Sequence, residues 1–452
     1  MLRFSDGESV YVPHGTGRYT TTAVLDAEER LVDAAREHTS HMVDPYRVEA
    51  ALDAFEQQQG RRLDDGQLAL VPAFVADPRR LVVGIGPAGA GKTTAMQAAV
   101  TAWEACGRRV ILLACSAKSA EVLAGDTGRR AENLHKYLHE LDRQTAGLPS
   151  SPHDHGFYTL GAGDVVLLDE AGMAGTFHLD RLASYARAAG APVRLLGDPQ
   201  QLSAVQAGEA LRLLANDVGA VRLTELHRFT DPAEARATLQ LRDGNPAALD
   251  FYATHDRIQE GTAPAMLHAA YEAWAADVRA GRTSVVIAAT NEDVTGLNLR
   301  ARRDRIDTGQ LAEAGVLLRD GTTAGVGDWI VTRVNDRRLP VGARGDFVKN
   351  GDTRRVVGHD QRGGLQVAHL SHGGTVLLPG EYVAGHVQLG YASTVHRVQG
   401  TTVDTAHALI TPQATRESLY VAASRAGERT DLYVATQDVD LPAGEHPPTA
   451  WA

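Results

Sequence analysis

From residue 81 onward the chain alternates short, continuously apolar runs with longer stretches of helical periodicity. The runs are LVVGIG (81–86), RVILLAC (109–115), DVVLLDE (164–170) and PVRLLGD (192–198), and each ends in small or acidic residues. Continuous rather than alternating apolarity predicts a parallel sheet with helical crossovers. Ligands of such sheets sit at the C-terminal strand ends, so those endings are where chemistry is expected. Ahead of them, residues 23–57 repeat apolar positions at helical spacing and predict a small helical N-terminal region. Residues 139–163 form a Pro/Gly-rich interruption suited to a short insert, and a second α/β series starts near 221 with a strand at SVVIAAT, 284–290.

Between 326 and 389 the period changes. WIVTRV, RRVVGH, LQVAHL and GTVLLP read as short alternating strands divided by Gly and Asp turns, the texture of a small β-barrel or β-sheet insert. The α/β pattern resumes at 390 and ends with DLYVAT. The expected division is a helical region over 1–62, a first α/β domain over 63–220 and a second over 221–340 and 390–440. The β insert is expected over 341–389 and a tail over 441–452. A chain of 452 residues exceeds what one hydrophobic core usually serves, in keeping with that division.

Composition narrows the class. The apolar fraction is 43%, and no stretch approaches the roughly eighteen apolar residues of a membrane span, so no membrane partner is expected. The N-terminus reads as no secretory signal, and two cysteines cannot build a disulfide framework, so a reducing cytoplasm fits. A net charge of −11 argues against non-specific coating of nucleic acid but leaves room for a local basic groove. Lysine is rare, at 92, 118, 136 and 349 alone, which makes Lys92 informative.

GPAGAGKT (86–93) fits the phosphate-binding pattern G-x-x-x-x-G-K-[ST], placed after a strand and before a helix. The backbone of Gly86, Pro87, Ala88, Gly89, Ala90, Gly91, Lys92, Thr93 and Thr94 is expected to cradle phosphate oxygens. Lys92 would reach the terminal phosphates and Thr93 would ligate Mg²⁺. In DVVLLDE the two acids fall at a buried strand end, so that Asp169 serves the metal and Glu170 orients and deprotonates a water. LLGDPQQLSAV (195–205) puts Gln201 past a third strand end, suited to sense the γ-phosphate, with Ser203 free to face another ligand.

With those stretches in hand, the chain resembles a superfamily 1 helicase of the RecD/Dda-like branch. LDDGQLAL (63–70) resembles the adenine-reading motif, with Gln67 as reader, and ILLACSAKSAEVL (111–123) the strand-binding motif, with Ser116 where Thr is usual. LTELHRF (223–229) and LYVAASRAG (419–427) resemble the motifs whose arginines, here Arg228 and Arg425, meet the developing phosphate charge. YASTVHRVQG (391–400) resembles the motif coupling the second motor domain to DNA and nucleotide. Thr394 and His396 would face DNA, while Gln399 and Gly400 turn to the ATP cleft. HRVQGTTVDTAHAL, GDWIVTRVNDRRL and FVKNGD bring the likeness closer to the helicase half of TraI/TraA-type conjugative relaxase-helicases. Many relatives carry Glu where Thr402 stands, so no nucleotide contact is assigned there.

The resemblance implies two RecA-like P-loop motor domains, the second carrying a small SH3-like insert. It implies an ATP- and Mg²⁺-dependent, 5′→3′ single-stranded DNA translocase and helicase, working as a monomeric motor. A relaxase domain or the conjugation machinery would be its partner, although no nicking Tyr or His-rich metal site is found. His38 with His41 and His153 with His155 lack a third ligand nearby. Two alternatives stay open: a helicase-like module that grips single strands without stepping, and a RecD-like repair helicase.

Overall fold

In the computed structural model the described residues are 20–39, 43–148, 156–202, 209–342 and 346–437. Ser203, His41, His153, His155 and the expected tail lie outside them. The first sheet holds β1 (Leu81–Ile85), β2 (Arg109–Ala114), β3 (Ala131–Asn133), β4 (Asp164–Asp169), β5 (Val193–Gly197) and β6 (Val221–Arg222). Its order is β3-β2-β4-β5-β1-β6, with every pairing parallel. β1, β4 and β5 are apolar and buried almost throughout, as a sheet covered on both faces requires. The loop after β1 and the ends of β4 and β5 therefore open at one edge.

The N-terminal helices are part of this lobe rather than a separate unit. Helix Thr22–Arg36 is capped by Thr21, and its Leu31 and Ala35 join the core on one face of the sheet. Helix Pro45–Gln59, with Asp44 as cap and Pro at its start, sends Val48, Leu52 and Phe55 into the core on the other face. Arg30 clamps Asp180 with two bonds of 3.0 and 2.7 Å, tying the first helix to helix Thr176–Ala189. The expected interruption near 139–163 starts later than drawn, because helix Leu134–Thr145 continues through 139.

The second lobe is built on β7 (Ile258–Thr262) and β8 (Ser284–Ala288), followed by the small strands β9 (Val316–Leu317) and β10 (Thr323–Ala324). Then come β11 (Trp329–Thr332), β12 (Asp336–Val341), β13 (Asp346–Val348), β14 (Thr353–His359), β15 (Leu365–His369), β16 (Thr375–Leu378) and β17 (Val387–Leu389). Last are β18 (Ala392–Thr394), β19 (Val403–Ile410) and β20 (Ala426–Gln437). A parallel sheet runs β18-β8-β19-β20-β7, and a separate antiparallel sheet runs β16-β15-β14-β11-β17.

The antiparallel unit thus begins before the boundary expected at 341. β11 pairs with β14 on one side and β17 on the other, so WIVT belongs to the insert. One core joins the two sheets: Trp329 stacks on Tyr391 at 5.5 Å, and Trp274 packs edge-on against both. Beneath them Asp328, fully buried, receives Arg302 at 3.0 Å and the Tyr391 hydroxyl at 2.6 Å.

Candidate nucleotide site

The loop from β1 to helix Lys92–Ala105 turns on glycines where a side chain would be strained. Gly89 and Gly91 have φ of 81° and 67°, in the left-handed region that favours glycine. A Cβ at Gly89 would lie 2.6 Å from Arg228 Cβ, and one at Gly91 would lie 2.3 Å from Gln67 Nε2. Gly91 starts the helix without a side-chain cap, so the first amides of the helix are free for an anion. Lys92 bends back, its Nζ donating to the carbonyls of Gly86 at 2.9 Å and Pro87 at 3.3 Å. Burial pushes its ammonium below the ordinary lysine value, against the pull of Asp169, Asp198 and Glu170.

Facing Lys92 are the two acids at the end of β4. Burial, and then repulsion from Glu170, raises the Asp169 carboxyl above its ordinary value, with Lys92 opposing. Glu170 has φ +54°, a left-handed conformation that costs a non-glycine residue of order 1–3 kcal/mol and is concentrated at functional sites. Its carboxylate accepts from Ser119 Oγ at 2.9 Å, and Ser119 in turn accepts from Ser116 Oγ at 2.8 Å. Ser116 also caps helix Ala117–Thr127 through the Ser119 amide at 2.9 Å. That residue, read from the sequence as a strand contact, is engaged here as a cap and as the outer end of a chain that orients Glu170.

The opposite wall comes from the second lobe. Arg425 is 1% exposed, and among the described residues no carboxylate pairs with its guanidinium. It donates to the carbonyls of Val421 at 2.7 Å, Thr401 at 3.4 Å and Val398 at 3.5 Å, and to Ser424 Oγ at 2.6 Å. Burial, and then the nearby Arg228, holds its pKa down to about 9. Arg228, also lowered by burial, donates to the Ser424 carbonyl. A buried guanidinium resting on carbonyls lacks the anion that would offset its desolvation.

The YASTVHRVQG segment reaches the same cleft. Gln399 Nε2 donates to Gln201 Oε1 at 3.3 Å, and a Cβ at Gly400 would lie 3.2 Å from Glu170 Oε1. His396 is exposed on the outer part of the cleft beside Arg397, while Thr394 ends β18 and is not among the lining residues. Gln67 is buried, completes a capping box with Asp64, and donates to the Gly91 carbonyl at 3.2 Å. It borders a smaller cavity of about 430 Å³ with Thr94, Arg61, Arg62 and His227. His227 is held by Asp64 at 2.7 Å, and its amide donates to the Gly89 carbonyl at 2.8 Å.

The main cleft holds about 800 Å³ and is lined by both lobes and the antiparallel unit. Its walls carry seven lysines and arginines against three carboxylates, so a chain of net charge −11 presents a locally basic cleft. Free helix amides, a half-buried lysine, a paired acid site and an anion-seeking arginine together fit a polyphosphate with a divalent cation. Sequence reasoning missed Asp198, Arg242 and Tyr420, which knit the lobes behind Gln201. The first and last of these stand inside quoted motifs, but their pairing spans 222 residues and has no local signal.

By fold and site the chain is a P-loop protein with two parallel-sheet lobes. Residues 62–263 match the family model described as an AAA domain. The chain is 29% identical over 456 residues to the conjugal transfer protein TraA of Rhizobium radiobacter, covering 98% of this chain and 38% of that protein. It is 28% identical over 427 residues to the ATP-dependent RecD2 DNA helicase of Deinococcus radiodurans, covering 92% and 55%. The crystal structure of Pif1 helicase from Bacteroides, in complex with ADP-AlF3 and ssDNA, shares the fold at TM-score 0.51 and 18% identity, over 82% of this chain and 92% of that one. The chain is similar to TraA conjugal transfer proteins and to RecD2, the resemblance its motifs led one to expect. It spans 36% to 38% of the length of the TraA proteins.

Proposed function

We propose that the chain is an ATP-dependent translocase and helicase on single-stranded DNA, moving 5′→3′, and the motor part of a conjugation-type DNA-processing protein. The observation that carries this is the meeting of Lys92, the Asp169–Glu170 pair, Arg228 and Arg425 in one cleft between two parallel sheets. When bound, ATP with Mg²⁺ supplies the phosphoryl group and the charge that Thr93 and Asp169 would hold. Lys92 leaves its own loop carbonyls for the terminal phosphates. Glu170, fixed by Ser119, takes the proton of an attacking water at its free carboxylate oxygen. Arg425 from the second lobe and Arg228 from the segment that leaves the first sheet after β6 meet the developing charge. Gln201 and Gln399, bonded across the cleft, carry the change between lobes.

Single-stranded DNA as partner is supported by the basic cleft and by the RecD2 and Pif1 likeness. His396 on the outer cleft is the strand contact that the geometry favours. Thr394 nearby and Ser203 complete the proposed strand set, and Ser116 acts at most through its cap. Among the described residues no helix is long and apolar enough to cross a membrane. The reading is of a monomeric cytoplasmic motor, served by a relaxase domain or the conjugation machinery. An intact acid pair and two cleft arginines favour turnover over passive gripping of the strand. Duplexes with a 5′ or a 3′ single-stranded tail test it: unwinding of the 5′-tailed duplex alone is expected, and unwinding of the 3′-tailed one alone would reverse the polarity.

A further inference from the structure

Behind Gln201 a buried network crosses from lobe to lobe. Tyr420, on helix Arg416–Ala423 of the second lobe, is 1% exposed. Its hydroxyl accepts the Ala88 amide of the phosphate loop at 3.0 Å and donates to Asp198 Oδ2 at 2.9 Å. Asp198 directly follows β5 in the first lobe, and its side chain is fully buried. Arg242, on helix Pro232–Arg242, grips it with Nε at 3.1 Å and Nη2 at 2.8 Å. Gln201 Nε2 leans on the same carboxylate at 3.4 Å, and Gln201 is the residue bonded to Gln399. One phenol therefore joins the phosphate loop, the γ-phosphate-sensing strand end and the second lobe.

Resting on the proposed function above, we infer that Tyr420 is the positioning residue that reports occupancy of the phosphate loop to the second lobe. The Ala88 amide has a single hydrogen. A phosphoryl oxygen arriving in the loop competes with the phenol for that hydrogen or shifts the loop away from it. The Tyr420–Asp198 bond, buried and backed by Arg242, stays as the fixed end. A change at the loop thereby becomes a change in how helix Arg416–Ala423 sits, and Arg425 lies just past the end of that helix. A merely structural tyrosine would need no bond to a loop amide that the nucleotide approaches.

The test is Tyr420→Phe in the full chain, which keeps the ring and removes the hydroxyl. Steady-state ATP hydrolysis is measured with and without a dT oligonucleotide, beside the oligonucleotide Kd with and without ADP-AlF3. The expected result is a loss of about fivefold in the DNA-stimulation factor, the size of one hydrogen bond. The KM for ATP should not rise, because the Ala88 amide is freed, and the effect of ADP-AlF3 on oligonucleotide affinity should shrink toward none. Stimulation and nucleotide-linked affinity equal to the intact chain's would overturn the proposal. So would a rise in KM together with a fall in kcat and melting temperature, the signature of a structural role. Arg242→Met, which unfastens the fixed end from the other side, should reproduce the uncoupling, and normal coupling in that variant would also overturn it. An intact chain that no DNA stimulates would instead sink the functional reading itself, which separates the two failures.

Discussion

The two walls of the cleft are made differently. The first lobe's wall is local: strand, glycine loop, lysine and helix follow one another within residues 81–105, and the geometry is set by backbone conformation. The facing wall is assembled from distant segments of both lobes, and its cations are parked on second-lobe carbonyls, Arg425 on Val421 and Arg228 on Ser424. A wall of preset amides binds whatever phosphate arrives. A wall of guanidiniums resting on carbonyls binds only when negative charge comes within reach. The difference suggests that affinity lies with the first lobe, and that rate and coupling lie with the second.

The largest expected effect breaks that division at its sharpest point. Arg425→Ala should cut ATP turnover about a thousandfold, within the range of an arginine finger, while leaving nucleotide affinity nearly intact. A large loss of affinity with turnover preserved would reverse the assignment of the two walls. Glu170→Gln follows, with about a hundredfold loss of turnover and retained ATP binding, measured by single-turnover hydrolysis beside equilibrium binding. Retained turnover there would mean the proton goes elsewhere. Gln399→Ala removes the bond to Gln201 and should lower DNA stimulation by about fivefold. A fall in basal and stimulated rates alike would place Gln399 in chemistry rather than coupling.

Legibility in the sequence follows the same line. The phosphate loop, the acids and the parallel sheets could be read because their signals are short: an apolar run, a glycine spacing, two carboxylates at a strand end. The antiparallel unit was recognised as a change of period from 326, yet the boundary of the insert was drawn at 341, after its first strand. Where the insert begins is settled only by the pairing of WIVT with β14 and β17, which no local pattern shows. Ser116 was read as a strand contact because a cap and a ligand contact ask for the same hydroxyl. Asp198, Arg242 and Tyr420 were not singled out, since a buried triad drawn from three distant elements leaves no periodicity.

The smallest effect concerns the antiparallel unit, which should be separable from the chemistry. Burial would raise the carboxyl of Asp352, but His369, Arg354 and the Lys349 amide outweigh it and hold its pKa down to about 2. A depressed carboxylate contributes stability above its ordinary value of 3.8, and that contribution is lost as pH falls from there toward about 2. The contribution is about 2 kcal/mol. Denaturant melts taken stepwise through that acid window should show the loss, and Asp352→Asn should flatten the dependence. An unchanged slope in the variant would show that other carboxylates set the acid limit.

The central claim, that this cleft turns over ATP in response to a single strand, is tested most directly by one measurement. Steady-state ATP hydrolysis is followed in the intact chain and in Lys92→Ala, each with and without a dT oligonucleotide. The account predicts a clear DNA-dependent rise in the intact chain and no turnover above background in Lys92→Ala. An intact chain that hydrolyses ATP at one rate with and without the strand would contradict it.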